Sequence, residues 1–276
     1  MKTAKSLIDG FEWQRPEVLT SFVKGEGAKG LYDSVKDRNF GWCEYDAEAK
    51  EIKGSNPFIS AKIDTLVRPL GLRVANLRDL SRPEVMEMVR GKYYTDSPTL
   101  VVRSENDSYE RNLSLIARIL PYVEEANGKV EFPFMISGFD VEQLVEDKKG
   151  YGVDILRRDD FKAVIDDRLL GKWNEYKFNN VDEVGLPVDF DKKNGIRTWY
   201  VRDNGLSWFC LYWDLGLNSS GADLQDSYAG GRVVLVSAEG ASQNFNEYIA
   251  RLTAEKERQM KKVDDKFIKA MNILKA

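Results

Sequence analysis

An alternating aromatic segment, residues 206–218, limits more strongly than any other stretch how this chain can fold. In a β-strand, successive side chains point to opposite faces of the sheet. One face of this segment is apolar and carries Phe209, Leu211, Trp213, Leu215 and Leu217. The other face is chemically mixed and carries Trp208, Cys210, Tyr212, Asp214, Gly216 and Asn218. Because no single buried environment suits that mixture, we expect the apolar face to join the core and the mixed face to form a contact surface.

Further strands are predicted on both sides of this segment. Residues 198–201 precede it and are joined to it through Asn204-Gly205, a dipeptide that favours a hairpin turn. Residues 218–230 read as a long polar loop in which Leu224 is the one strongly apolar side chain. The unbroken apolar run at 233–236 predicts a central strand that is covered on both faces.

The upstream part of the chain mixes helical and strand patterns. Apolar residues spaced three or four apart predict helices at 59–67, 83–91, 109–125, 139–146 and 159–173. Ser81 is the candidate cap of the second of these helices. Composition and turn signals predict two short strands within 39–52 and further strands at 99–102 and 130–136. This irregular mixture predicts the α+β class.

The last residues of the chain, 241–276, predict one long amphipathic helix. Its stripe advances by three or four residues and contains Ile249, Leu252, Met260, Val263, Phe267, Met271 and Leu274, with Lys256 at the remaining position. The stripe suits either packing along the domain or pairing with a second copy through residues 245–274. The chain is therefore divided into an N-terminal α+β region (1–92), a central domain (93–240) and the C-terminal helix.

The chain contains no histidine. This removes the usual general base, the Ser-His and Cys-His pairs and the commonest transition-metal ligand. Cys43 and Cys210 lie far apart, without metal or redox spacing, and are predicted to be free thiols. Acidic residues recur between 142 and 167, but Lys and Arg interleave with them and the spacing of a calcium loop is absent. We expect no metal and no catalytic residues.

The charge and hydropathy patterns disfavour nucleic acid and membranes as partners. The net charge is −4, with both signs mixed along the chain, so nucleic acid is not an expected partner. Neither a signal sequence nor an apolar run of about 18 residues is present, so we expect no membrane span and a cytoplasmic location by default. Residues 25–30 spell GxGxxG, but no repeating βαβ pattern follows, which favours a glycine turn and no cofactor.

Over residues 195–237 the sequence resembles the variable proteins of diversity-generating retroelements, particularly archaeal ones with a C-type lectin fold. The resemblance is carried by a leucine skeleton with mixed residues between its members, and by the closing segment 230–237, GGRVVLVS. The skeleton consists of Leu206, Leu211, Leu215, Leu217 and Leu224. The close is also similar to that of formylglycine-generating proteins, with Gly231 where an aromatic residue would stand. The resemblance implies a C-type-lectin-like fold with short strands and flanking helices over 93–240.

In that family, the residues between the skeleton positions are diversified and form a solvent-exposed ligand-binding face. By position, the resemblance implies a face within residues 197–237 made of Trp208, Cys210, Tyr212, Trp213, Asp214, Asn218, Ser219, Ser220, Asp223, Gln225 and Tyr228. Strand alternation independently favours the even-numbered members up to Asn218. The two arguments disagree about Trp213, which alternation places in the core.

The resemblance implies a non-enzymatic binding protein whose ligand is a macromolecule, with protein as the first expectation. Three departures limit it: a long helix follows the variable region, the Glu-Pro-Asn tripeptide of sugar-binding lectins is absent, and Cys43 and Cys210 lack the arrangement of a catalytic pair. The alternatives are an enzyme that uses carboxylates or a lysine on a lectin-like scaffold, and a structural protein assembled through the C-terminal helix.

Overall fold

The structure is a computed structural model that describes residues 20–171 and 176–237, together with two short paired strands, β1 (Ala4–Lys5) and β2 (Glu12–Trp13). Within these residues the protein is mixed α+β, as the sequence predicts. Its four α-helices are α1 (Glu26–Val35), α2 (Pro57–Val67), α3 (Pro83–Val89) and α4 (Glu110–Asn127). The remaining strands are β3 (Thr20–Phe22), β4 (Glu44–Asp46), β5 (Glu51–Lys53), β6 (Leu72–Val74), β7 (Thr95–Val102), β8 (Phe134–Gln143), β9 (Val153–Ile165), β10 (Tyr176–Phe178), β11 (Arg197–Val201), β12 (Leu206–Leu211), β13 (Leu217–Ser219) and β14 (Val234–Ser237).

A seven-stranded sheet organises the fold, with the strand order β10-β11-β13-β12-β7-β8-β9. Its strands pair antiparallel except for β11 and β13, which are parallel. The hairpin predicted at Asn204-Gly205 is therefore wrong, because β11 and β12 are not neighbours. After the tight turn that follows β12, residues 217–219 return along that strand and occupy the position between β12 and β11.

The large sheet carries a hydrophobic core on each face. Leu100, Val102 and Leu206 belong to the core that includes residues of α1, α2 and α4. Their strand neighbours Val101 and Phe209 belong to the second core, on the opposite face. Neighbouring residues of a strand thus point into different cores, one on each face of the sheet. Residues 20–92 contribute to both cores, so they pack together with residues 93–237 as one structure.

The strand predicted at 233–236 is confirmed as β14. It is the middle strand of a second sheet, β3-β14-β6, and pairs antiparallel with both neighbours. Val234 and Val236 join one core, whereas Leu235 joins the other. The continuous apolar run reflects this burial on both sides of the strand.

The helices predicted at 139–146 and 159–173 are wrong, because β8 and β9 form a long antiparallel hairpin there. Along β8, Phe139 and Val141 are both buried, which is the two-residue period of a strand. Cross-strand pairing outweighs the helical spacing of Phe161 and Val164, since strand preference depends strongly on neighbouring strands. Trp173, predicted to plug the core there, lies outside the described residues.

The other three helix predictions are confirmed by α2, α3 and α4. The cap of α2 is Asn56, whose side-chain oxygen accepts from the Ile59 N–H at 2.9 Å. Ser81 does not cap α3: the N-cap residue is Arg82, and the Ser81 hydroxyl accepts from Arg197 Nη1 at 2.9 Å instead.

The glycine segment 25–30 begins α1, with Gly25 at the N-cap position in a left-handed conformation (φ 87°). It is therefore the start of a helix and not a free turn. The strand before it, β3, pairs antiparallel with β14, so the segment is not part of a parallel βαβ unit. The predicted C-terminal helix, 241–276, lies outside the described residues. None of the helices that the structure describes is long and apolar enough to cross a membrane.

Candidate functional site

A row of polar side chains crosses four strands on one face of the large sheet. The strand register pairs Asp96 of β7 with Cys210 of β12, Cys210 with Asn218 of β13, and Asn218 with Tyr200 of β11. Side chains of directly paired residues lie side by side on the same face. Trp208, two residues before Cys210, continues this face along β12. Trp208, Cys210 and Asn218 therefore share one face, as alternation predicts, but Cys210 and Asn218 are buried there and do not form the exposed surface that was expected.

An irregularity in β7 places Asp96 in this row. Trp208 pairs with Leu100, but Cys210 pairs with Asp96, so four steps along β7 match two steps along β12. Pro98 lies in the extra stretch, where a proline is tolerated because the ladder is already interrupted. A regular register would bring Pro98, and not Asp96, opposite Cys210.

Three tyrosines gather beside this row. The Tyr94 and Tyr228 rings lie 4.4 Å apart between centroids, and the Tyr212 ring stands nearly perpendicular to Tyr94 at 6.4 Å. The Tyr94 hydroxyl donates to the Ser55 carbonyl at 3.1 Å and accepts from the Tyr228 N–H at 3.0 Å. Tyr94 is buried, while Tyr228 remains 49% exposed. The aromatic group thus runs from the core to the surface.

Trp208 closes the other side of the group and packs against the backbone of the following loop. A Cβ atom added to Gly221 would lie 1.8 Å from the Trp208 ring, so only glycine fits there. Together these side chains form the Asp96 cluster, which consists of Tyr94, Asp96, Trp208, Cys210, Tyr212, Asn218 and Tyr228.

Burial dominates the electrostatics of the Asp96 cluster. The pKa of Asp96 is raised to about 7, mainly by burial and also by the negative charge of Asp226, whereas the Ser55 side chain acts to lower it. Asp96 is only 3% exposed, and among the described residues its Oδ2 atom has no hydrogen-bond partner. A buried carboxyl oxygen in this state is costly, because nothing replaces the water that it loses.

The Cys210 thiol is unsuited to act as a nucleophile. Its burial, together with the nearby Asp96 carboxylate, raises the thiol pKa well above the ordinary value, so the sulfur stays protonated at neutral pH. The Trp208 N–H lies near the sulfur and lowers this pKa slightly. Even so, Nε1 makes no contact of hydrogen-bond geometry with the described residues. Cys210 and Cys43 are both free cysteines.

The eleven residues of the face implied by the resemblance differ widely in exposure. Four are buried: Cys210, Asn218, Ser219 and Ser220. Four are partly buried: Trp208, Tyr212, Asp223 and Gln225. Three are exposed: Trp213, Asp214 and Tyr228. The surface available to a ligand is therefore narrower than the resemblance implies, and several of the eleven form its floor.

Three of the eleven residues stabilise the scaffold away from the Asp96 cluster. Ser219 lies on the opposite face, where its carbonyl and hydroxyl accept from Arg103 Nη2 at 2.7 and 2.8 Å. Gln225 donates to the Tyr151 carbonyl at 3.1 Å and accepts from Arg111. Asp223 lies 3.8 Å from Arg111 and accepts from the Gln225 N–H. The last two anchor the loop after β13.

Trp213 is exposed by 56%, so strand alternation places it wrongly. Alternation stops at Leu211 because β12 ends there, and a tight turn over residues 212–216 follows. In this turn the Leu215 N–H donates to the Tyr212 carbonyl at 2.8 Å, and Leu215 has a positive φ of 66°. The turn directs Trp213 away from the core, beside Asp214, which accepts from the Tyr200 hydroxyl at 3.1 Å.

Sequence reasoning missed Tyr94, Asp96 and Tyr200. Composition predicts a strand at 99–102, whereas β7 begins at Thr95 and includes Pro98. The sequence signal for Asp96 is a single acidic residue next to an apolar segment. Its position opposite Cys210 follows only from the bulge in β7. Within the described part of the chain, no three Cys, Asp or Glu residues are grouped as a metal site would require.

The fold and the Asp96 cluster together define a mixed α+β protein with a seven-stranded sheet and a polar, aromatic cluster at the edge of its core. No protein-family model, curated protein or solved structure matches the chain.

Proposed function

We propose that this chain is a non-enzymatic binding protein. It displays a ligand-contacting surface on a C-type-lectin-like scaffold, as the variable proteins of diversity-generating retroelements do. The ligand is a macromolecule, with protein as the leading class. The surface is centred on the turn at Tyr212, Trp213 and Asp214 and on Tyr228.

The observation that carries the proposal is a division of labour within residues 206–228. Leu206, Leu211, Leu217 and Leu224 of the skeleton are fully buried. Trp213, between Leu211 and Leu217, and Tyr228, four residues after Leu224, are about half exposed, at 56% and 49%. The rings of Tyr212, which precedes Trp213, and of Tyr228 both pack against Tyr94, and exposed aromatic groups of this kind are typical of interaction sites. The leucines are buried in the core, while these two exposed aromatic residues remain available to contact a ligand.

The residue types suit this role. Tyrosine and tryptophan offer a large and rigid contact area at low entropic cost, and they are enriched among the residues that dominate binding energy. The turn that carries Trp213 is fixed to the scaffold, because the Trp213 carbonyl accepts from the Gly91 N–H at 2.7 Å. Contact residues on a loop held by a rigid sheet can change without loss of the fold.

A genetic observation tests the proposal directly. The locus that encodes the chain should contain a near-identical repeat of the 197–237 region beside a reverse-transcriptase gene, with differences at template adenines. Allelic variants should differ at exposed positions such as Trp213 and Tyr228, while Leu211 is retained. A locus that contains neither the repeat nor the reverse transcriptase would refute the diversification part of the proposal.

A stability comparison tests the division of labour. The double variant Trp213→Ser/Tyr228→Ser should lose less than roughly 1 kcal/mol of unfolding free energy, since surface substitutions rarely cost more. The matched control Leu211→Ala should lose roughly 2–5 kcal/mol, as truncation of a buried leucine does. Urea unfolding of the three proteins measures both values. An equal loss in the double variant and in Leu211→Ala would show that the exposed aromatics serve the fold and not a ligand.

A further inference from the structure

Asp96 differs from the other deeply buried aspartates of this protein. Four aspartates whose side chains are at most 6% exposed each form an ion pair with an arginine. The pairs are Asp64–Arg158 at 2.8 Å, Asp79–Arg82 at 3.3 Å, Asp107–Arg202 at 3.2 Å and Asp147–Arg118 at 3.2 Å. For Asp96, no lysine or arginine of the described residues provides such a partner. Buried aspartates are rare unless they are paired with a cation. We therefore expect a ligand to supply the cation that pairs with Asp96.

The surroundings of Asp96 suit a cation. Tyr94, Tyr212 and Tyr228 lie close enough to Asp96 for its negative charge to raise the pKa of each of their hydroxyls. Tyrosine rings attract cations through their negative faces, and this attraction is larger where water is excluded. The half-exposed Tyr228 ring packs against the buried Tyr94 ring, so the aromatic group near Asp96 extends to the surface.

The number of free acceptor atoms distinguishes between cations. The Ser55 hydroxyl accepts from the Asp96 N–H at 3.0 Å and is close enough to the carboxyl group to lower its pKa, whereas Oδ2 has no hydrogen-bond partner among the described residues. A guanidinium fork is best matched by two free oxygens, whereas an ammonium is a compact point charge that one oxygen can receive. The site therefore fits an ammonium better than a guanidinium.

We propose that the Asp96 cluster binds an alkylammonium group, as carried by a lysine side chain of the ligand, with Asp96 Oδ2 accepting its hydrogen bond and Tyr228 covering its alkyl stem. This rests on the proposed binding function and names the chemistry that the ligand presents at this point. Asp96 supplies the charge, and the tyrosines supply the walls.

Calorimetric titration with n-butylammonium chloride, against sodium chloride at equal ionic strength, tests the proposal. The intact protein should bind butylammonium saturably, and 1-butanol, its neutral analogue, at least tenfold more weakly. Asp96→Asn keeps the shape of the side chain and should weaken butylammonium binding at least tenfold. Asp37→Asn, the same exchange at a side chain that is 84% exposed, should leave the affinity unchanged.

A second pair of variants keeps the test decisive if Asp96→Asn does not fold. Tyr228→Ala should weaken butylammonium binding about tenfold through loss of the ring, while Tyr228→Phe, which keeps the ring, should stay within about threefold of the native protein. Equal binding of butanol and butylammonium, or no saturable binding by the native protein, would overturn the proposal.

The source of the ammonium can be identified in the same titration. A short peptide with one central lysine should bind more tightly than butylammonium if the group belongs to a protein, and equally if a free amine is bound. Acetylation of that lysine should abolish binding. Failure of the butylammonium titration would leave the locus test untouched, so the cation proposal and the proposed function can fail separately.

Discussion

Two acidic sites in this protein, Asp64 and Asp96, are buried to nearly the same degree and are satisfied very differently. Asp64 is 1% exposed, and its Oδ2 lies 2.8 Å from both Arg158 and Arg68, while its Oδ1 accepts from the Val74 N–H at 2.8 Å. Asp96 is 3% exposed and has Ser55 as its hydrogen-bonding neighbour, with one oxygen left over. The first site fastens α2 to β6 and β9. The second makes no comparable ion pair among the described residues, and this difference is the basis of the proposed cation site.

The largest effect is expected at the paired site. Asp64→Asn should reduce the unfolding free energy by about 3–5 kcal/mol, because it removes the buried charge that pairs with both Arg68 and Arg158. Chemical denaturation at pH 7 measures the loss. Asp96→Asn provides the matched control and should not destabilise the protein. A similar loss in both variants would break the comparison between the two sites.

The next largest effect concerns the pH dependence of stability. The folded pKa of Asp96, about 7, lies above the ordinary value of 3.8, so the folded state binds more protons than the unfolded state between these values. The contribution of Asp96 to the free energy of unfolding is therefore largest below pH 4 and declines as the pH rises towards 7. The gap corresponds to a loss on the order of 4 kcal/mol at most.

Unfolding of the native protein and of Asp96→Asn, measured from pH 4 to pH 8, tests this expectation. The difference between the two curves should grow up to about pH 7 and then level off. The groups that surround Asp96 are Ser55, Tyr94, Cys210, Tyr212, Asp226 and Tyr228. Of these, Tyr94, Cys210, Tyr212 and Tyr228 have raised pKa values and stay protonated in this range. Two parallel curves would show that Asp96 is charged throughout and has a partner after all.

The smallest effect concerns how tightly the Asp96 cluster is packed. Gly221→Ala should cost about 1–3 kcal/mol, the usual penalty for overpacking, because the added carbon would meet the Trp208 ring. Gly230→Ala is the control, since its Cβ would lie 3.4 Å from the Tyr228 ring in ordinary contact. Thermal unfolding ranks the two variants. If Gly221→Ala is as stable as Gly230→Ala, Trp208 can move, and the cluster is looser than the structure shows.

The local parts of the fold follow from the sequence. The helices α2, α3 and α4 and the strand β14 are predicted correctly, because apolar spacing reports directly which side of a segment faces the core. The errors at β8 and β9 have one cause: the spacing of Phe161 and Val164 fits a helix, and only pairing with another strand makes it a strand. The hairpin at Asn204-Gly205 fails for the same kind of reason, since turn chemistry does not determine which strand occupies the neighbouring position.

The candidate site shows the same limit. Trp208, Cys210 and Asn218 could be placed on one face from alternation alone, but their depth could not. Asp96, about 110 residues earlier in the chain, could not be found at all, because a bulge at Pro98 decides that it lies opposite Cys210. The exposure of Trp213 depends on where β12 ends, which is set by the return of β13.

By itself, the sequence determined the α+β class and the buried side of most segments. It also excluded chemistry that requires histidine and showed that one strand face is chemically mixed. The tertiary structure decided which side chains meet. Side-chain periodicity is a property of neighbouring residues in one segment, whereas the meeting of Asp96 with Cys210 depends on the register between two strands. That register is fixed by the packing of both cores, and it cannot be predicted from the residue pattern of a single segment.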